Sequence, residues 1–423
     1  MRKALVFGGG GALGAYEIGV WQAIKENDIK YDILLGVSIG ALTAALVVQD
    51  RFEEGNKLWE TIEVDKVIKH GVNFDFDLDL LMSQKEKLIP LLQSSLKNKG
   101  VDVAPLFAII KDLCDIDRIK NSKIPTYILA VEVPNLKPHF INLQEVDDED
   151  IPHYLMASAS CFPVFPIKEV GKKKFIDGGY YDNLPISKAL KLGADEVLAI
   201  NLKAPGIIRK SLKNDKRVKI IEPYWSLGGF FNFTTEQATR NIKLGYNDGQ
   251  KIFGNLSGFA YTFKDLGPRL STLSKSLEDK ILNINKTKTN KAINKISLLL
   301  KGTDKNLLKR YGEEIQSIDY TLRLIERIME ISDYQVDRVY DLNIIIKQLQ
   351  DLIKKEERKN IKDWIAKFIK NPQSSINEFE RKDFLISIAF EFNSLDSNTI
   401  ALVYNFLPNE CLLALLINCL EKL

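Results

Sequence analysis

The sequence predicts an α/β fold over residues 1–253 and an all-α region over residues 254–423. Three observations carry this. Two strand–turn–helix units follow one another at the N-terminus, around Gly8–Gly14 and around Ser38. Apolar runs at Thr126–Val133, Val197–Ile200 and Lys219–Ile221 read as buried strands. Beyond about Gly254 glycine becomes scarce, and Lys, Asn, Ile and Leu dominate with helical spacing.

The first unit begins with Lys3–Phe7, a buried strand. Gly8–Gly14 follows, and then a segment in which Ile18, Trp21 and Ile24 recur at helical spacing. A glycine loop opening a helix presents several backbone N–H groups to an anion. Gly9-x-Gly11-x-x-Gly14 also matches a dinucleotide fingerprint, so a nucleotide-binding protein is one reading of the loop. That fingerprint needs an acid at the end of the second strand to hold a ribose hydroxyl. Asp32 stands at the start of that strand instead, and its far end carries Gly36-Val37-Ser38. The other reading of the loop is an oxyanion hole built from the N–H groups of Gly9, Gly10 and Gly11.

The second unit is Ile33-Leu34-Leu35, then Gly36-Val37-Ser38-Ile39-Gly40, then the helix former Ala41–Leu46. Gly36 and Gly40 let the chain turn sharply and push the Ser38 hydroxyl out of the sheet. The helix aims its positive end at the serine, where negative charge develops in acyl transfer. The plainer reading is a Gly/Ser turn in which Ser38 caps the helix.

Past Arg51 the pattern loosens. Trp59 and Ile62 read as helix-face positions, and Asn73–Leu81 alternates acidic and apolar residues as a solvated edge or a lid. Leu106–Leu113 and Tyr154–Ser160 read as helices. Lys172–Lys174 reads as a hairpin tip, and Phe175-Ile176-Asp177-Gly178-Gly179 as a strand end that turns at once. Asp177 stands there with little bulk beside it; Asp-Gly turns are also common on their own account. In the C-terminal region, Ile315–Ile328 and Leu342–Leu349 have helical spacing. Cys411–Ile417 reads as a buried core helix, and it is too short to span a bilayer.

Composition narrows the function. A net charge of +3 gives no case for nucleic acid. The four cysteines include no Cys-x-x-Cys pair, which argues against a zinc site or a disulfide framework and fits a reducing compartment. After Met1-Arg2-Lys3 only Ala4–Phe7 is apolar before the glycines, too short for a secretory signal core. The expectation is a cytoplasmic protein that visits a membrane surface. Three histidines, His70, His139 and His153, are the whole supply for a Ser-His-Asp triad, and none falls in a predicted loop beside the two motifs.

Taken in order, Gly8–Gly14, Gly36–Gly40 and Asp177-Gly178-Gly179, with Asn183 and Pro185 behind it, resemble the patatin-like phospholipase family. Ala157–Pro163 resembles the small-residue segment that the family carries before its aspartate. The resemblance covers roughly residues 1–253 and implies a three-layer α/β/α sandwich with a mostly parallel sheet. It implies a Ser38–Asp177 dyad in place of a triad, a glycine-loop oxyanion hole, and hydrolysis of a phospholipid or lysophospholipid acyl ester with no metal and no cofactor. The family usually carries Arg or Lys where Leu13 stands, so no loop-borne charge is available to bind phosphate. An esterase or acyltransferase acting on other esters is the neighbouring alternative.

Overall fold

The computed structural model describes residues 1–69, 101–209, 212, 215–286, 317–355, 381–391, 395, 400 and 407–422. His70, the stretch Asn73–Leu81 and Ile315 lie outside the described residues. The chain divides into two compact units, Met1–Gly254 and Asn255–Leu423.

In the first unit the order is β1 (Lys3–Phe7), α1 (Ala15–Glu26), β2 (Ile33–Val37), α2 (Ile39–Val48), α3 (Phe52–Glu60), α4 (Val64–Val67), α5 (Ala104–Leu113), α6 (Ile116–Asn121), β3 (Thr126–Val133) and β4 (Lys137–Asn142). Then come α7 (Ile151–Ser158), β5 (Lys168–Val170), β6 (Lys173–Asp177), α8 (Ile186–Lys191), β7 (Glu196–Ile200), β8 (Val218–Ile221) and α9 (Thr235–Ile252). β3, β2, β1, β7 and β8 run parallel. β4 and β6 are antiparallel to β3, and β5 to β6. Every residue of β2 is buried, as are the last four of β1 and of β7. Strands buried on both faces require helices on both faces, which is why these strands read as continuous apolar runs. One face packs on Leu184, Ile186 and Ala189 of α8 and the turn before it. α2 packs on β1, β2 and β3.

The register of β3 decides where the candidate site forms. β4 pairs with β3 from Tyr127 to Glu132 and so fills one edge of that strand. β2 and β6 share the other edge. β2 ends with Val37 opposite Leu129, and β6 ends with Asp177 opposite Ala130. Two strand ends arriving from opposite directions therefore meet at adjacent positions of β3.

The second unit holds a short parallel pair, β9 (Thr262–Phe263) and β10 (Val339–Tyr340), and helices α10 (Gly267–Lys286), α11 (Ser317–Ile331), α12 (Leu342–Lys355), α13 (Arg381–Glu391) and α14 (Pro408–Lys422). α14 is its centre: Cys411–Leu420 is buried throughout, and α10 to α13 all pack on it. The apolar run around Cys411 is thus a core helix. No helix among the described residues is long and apolar enough to cross a membrane.

Candidate active site

Ser38 follows the last residue of β2 and adopts φ 55°, ψ −125°. A side chain is strained in that region, and such strain persists only where the surroundings hold it. Two buried contacts do so. The Ser38 N–H donates to Ser158 Oγ at 3.0 Å, and the Ser158 hydroxyl donates to Leu129 O at 2.7 Å. Ser158 thus ties the turn to β3. The Ser38 side chain makes no cap hydrogen bond to α2, so it is not serving as a helix cap. Its hydroxyl lies beside the Asp177 carboxyl instead, close enough to draw that group's pKa down.

Asp177 is 2% exposed. Its N–H donates to Ser160 O at 2.9 Å, and its Oδ1 accepts the Gly179 N–H at 2.7 Å. Gly178 leaves room for the close passage of β3: a Cβ there would run into Leu129 O and sit 2.9 Å from a Val37 methyl. Burial pushes the Asp177 carboxyl up from 3.8 to about 7, against the downward pull of Ser38 and of the Gly179 hydrogen bond. The carboxyl is therefore poised to exchange a proton near neutral pH. The neighbouring Cys161 thiol is buried and pushed well above its ordinary value by burial and then by the Asp177 charge, so it is inert.

The glycine loop corrects one sequence expectation. The Gly9 N–H already donates to Asn183 O at 3.2 Å, while the Asn183 amide donates back to Gly9 O at 3.1 Å. Gly9 is held by a clamp and has no donor to spare for an oxyanion. The Gly8 N–H goes to Ile200 O, and the Ala12 N–H to Phe230 O. Among the described residues, the N–H groups of Gly10 and Gly11 donate to no protein acceptor. The Ile39 N–H, first in α2, has no partner within its helix either. It follows the serine directly and went unnoticed in the sequence because its contribution is backbone; its position after the turn serine is the signal that could have found it.

Neither described histidine joins Ser38 and Asp177. His139 lies opposite Ala130 on the β4 side of β3, beside Glu132, and β3 stands between it and Asp177. His153 packs edge-on against the Phe107 ring. Asp32, the candidate ribose acid, accepts the Lys3 N–H at the opposite end of the sheet from the glycine loop.

A cleft opens beside the serine turn. Ile39, Leu42, Leu46, Trp59, Ile110 and Phe233 line it, and its volume is about 640 Å³ including the open mouth. Its lining is almost wholly apolar.

The profile of the patatin-like phospholipase family matches residues 5–190. This segment is similar to the patatin-like phospholipase family. The patatin-like domain is 27% identical over 207 residues to patatin-like phospholipase domain-containing protein 7 of Rattus norvegicus, covering 47% of this chain and 13% of that protein. It is 26% identical over 200 residues to lysophospholipase NTE1 of Saccharomyces cerevisiae, covering 47% of this chain and 10% of that one. The matched segment is thus a small part of those much longer relatives. Among solved structures, VipD from Legionella pneumophila aligns over 99% of this chain and 90% of its own, with 16% identity and a TM-score of 0.39.

Ser158 in the patatin-like domain leads to a first expected result. Ser158→Ala leaves the buried Ser38 N–H unpaired, at about 1–3 kcal/mol. With the strained turn released, kcat should fall by about 10- to 100-fold and KM should hold. Steady-state kinetics on a soluble ester would check this; an unchanged kcat would show that Ser158 is packing alone.

Proposed function

We propose that the patatin-like domain is a serine lipid acyl hydrolase that releases fatty acid from a phospholipid or lysophospholipid. The observation that carries this reading is the Ser38 hydroxyl, held on a strained turn beside a buried Asp177 whose carboxyl is pushed to about 7. In the proposed sequence, Asp177 takes the Ser38 proton as Oγ attacks the ester carbonyl carbon. The oxyanion that forms turns toward the N–H groups of Gly10, Gly11 and Ile39. Collapse breaks the bond to the alcohol, which leaves with the proton from Asp177, and acyl-Ser38 remains. Water then gives a proton to Asp177 and attacks the acyl carbon. The second collapse returns that proton to Ser38 and frees the fatty acid.

The apolar cleft beginning at Ile39 supports a long acyl chain as the part bound by burial. No charge on the glycine loop supports phosphate recognition there, since Leu13 is buried. A nucleotide in the loop is less well supported, because Asp32 is committed at the far end of the sheet.

Fatty-acid release from vesicles of acyl-labelled phosphatidylcholine and lysophosphatidylcholine tests the proposal. Ser38→Ala should cut the rate by about 10⁴-fold or more. A fluorophosphonate should label the wild-type protein at Ser38 and leave that variant unlabelled. Full turnover by Ser38→Ala would sink the assignment.

A further inference from the structure

Of the aromatic loop that follows β8, the proposed function uses only Phe233, in the wall of the cleft. The loop reads Tyr224-Trp225-Ser226-Leu227-Gly228-Gly229-Phe230-Phe231-Asn232-Phe233. Because β8 runs parallel to β7, β1 and β2, the loop leaves the sheet at the same edge as the glycine loop and the Ser38 turn. It is bonded to that site. Phe230 O accepts the Ala12 N–H at 2.8 Å, and the Phe230 carbonyl and ring fill the space a Cβ at Gly11 would need. At its inner end, Phe233 is buried, stacks on Trp59 and lines the apolar cleft. At its outer end, Tyr224 is 56% exposed and meets the half-buried Trp225 edge to face. Phe230 and Phe231, half-buried and edge to face, lie between. The loop thus carries rings at its exposed end, beside the glycine loop and in the wall of the cleft.

The loop is also held firmly. Gln237 Oε1 accepts the Gly229 N–H and an Asn232 amide proton, and its Nε2 donates to Gly229 O. Arg240 donates to Ser226 O, Asn241 to Leu227 O, and Lys203 to Pro223 O. A site that binds a lipid dissolved in a bilayer has to reach that lipid at the surface. Tyr and Trp are the side chains that settle at the boundary of headgroups and acyl chains, with ring in the apolar layer and polar edge in water.

We propose that Tyr224–Phe231 docks the protein on a phospholipid bilayer, seating the outer rings at the headgroup boundary and so bringing the cleft that Phe233 lines to the lipid surface. The purpose of this docking rests on the lipid hydrolase reading; the docking itself does not. Charge decides the kind of bilayer. Lys203 and Arg240 at the loop are offset by Glu222 at its start and Glu236 in the first turn of α9. The rings therefore carry the attraction, and a zwitterionic surface suffices.

The test uses the full chain as Ser38→Ala, so that no turnover alters the vesicles, and compares it with Ser38→Ala carrying Tyr224→Ser and Trp225→Ser. Co-sedimentation with phosphatidylcholine vesicles reads partition. Losing two interfacial rings should weaken it by about 10- to 100-fold, with little dependence on salt. In the Ser38-intact background, Tyr224→Ser with Trp225→Ser should keep its rate on a monomeric short-chain ester and lose about 10-fold on vesicles. Equal partition with and without the rings would overturn the proposal, and so would an equal fall on the monomeric ester, which would make the rings structural. A parent chain that ignores vesicles altogether overturns it as well and leaves the rings to a protein surface. Ring-dependent partition in a chain that hydrolyses no lipid would uphold the docking and reject the hydrolase reading.

Discussion

Asp177→Asn is expected to abolish fatty-acid release and, above neutral pH, to leave the fold more stable than the wild type. The loss follows from proton bookkeeping: an amide cannot accept the Ser38 proton, and no histidine bonded to Ser38 can take over among the described residues. A fall of about 10³- to 10⁴-fold is the scale for losing the general base. The gain in stability follows from linkage. Burial raises the folded carboxyl to about 7, against 3.8 in its ordinary state. Between those values the folded state holds a proton that the unfolded chain has released. Stability contributed by this group is thus present below about pH 4, drains as pH climbs toward about 7, and stays lost above it. The penalty at pH 8 is on the order of 4 kcal/mol, and Asn, uncharged throughout, escapes it apart from the cost of seating its amide protons. Melting both proteins across about pH 4 to pH 8 checks this. The variant's advantage should be large at the alkaline end and vanish at the acid end. The same ionisation should make wild-type kcat/KM climb with pH through about 7 and then level off, since the working form is the carboxylate. A wild-type rate flat across neutrality would reject Asp177 as the base.

That balance between stability and chemistry shows how much of the site was legible in the sequence. The strand ends, the glycine turn around Ser38 and the Asp177-Gly178-Gly179 turn are local features, because glycine and short apolar runs mark them directly. β1 and β3 fall at Lys3–Phe7 and Thr126–Val133, as the apolar runs indicate. What brings Ser38 to Asp177 is not local. It is the register that stops β2 at Leu129 and β6 at Ala130, two long-range pairings that no short pattern encodes. Gly9 failed as an oxyanion donor for the same reason. Its N–H is claimed by Asn183, 174 residues away. α9 escaped the sequence reading because Gly245 and Gly249 weaken its helical signature, yet those glycines are what lets it lie against α1. A Cβ at Gly245 would collide with Tyr16 O, and one at Gly249 would come within 2.7 Å of Ala23 Cβ. β4 escaped because Lys137-Pro138-His139 suits only a sheet edge, where a proline's missing N–H does no harm.

Gly40→Ala is the substitution expected to separate the turn's geometry from its chemistry, because it adds one methyl and touches no reacting group. The added Cβ would lie 2.5 Å from Gly8 O and 2.6 Å from Phe7 O. Both are backbone atoms, and neither can yield easily: Phe7 is paired in β1 on both sides, and the Gly8 N–H is bonded to Ile200 O. The elbow must therefore move, and Gly36 restrains it from behind, since a Cβ there would strike Gly40 O. A shift of several tenths of an ångström carries Ser38 away from the Gly10 and Gly11 donors while the hydroxyl and carboxyl both remain in place. Misalignment of that size should lower kcat by about 10²- to 10³-fold. Overpacking should cost about 1–3 kcal/mol of stability. Gly171→Ala is the matched control. Gly171 sits at the β5–β6 hairpin tip with φ 58° and nothing within 4 Å of its added Cβ, so the methyl should cost about 1 kcal/mol in backbone strain alone and leave the rate untouched. Melting temperature and kcat measured together on the two variants distinguish the outcomes. A Gly40→Ala protein that melts lower yet turns over like the Gly171 control would mean that the contact between elbow and glycine loop holds the fold without setting the oxyanion geometry. A rate collapse beyond what the stability loss explains would mean that the glycines around Ser38 are there so that two backbones can touch, with the donors of one aimed at the nucleophile of the other.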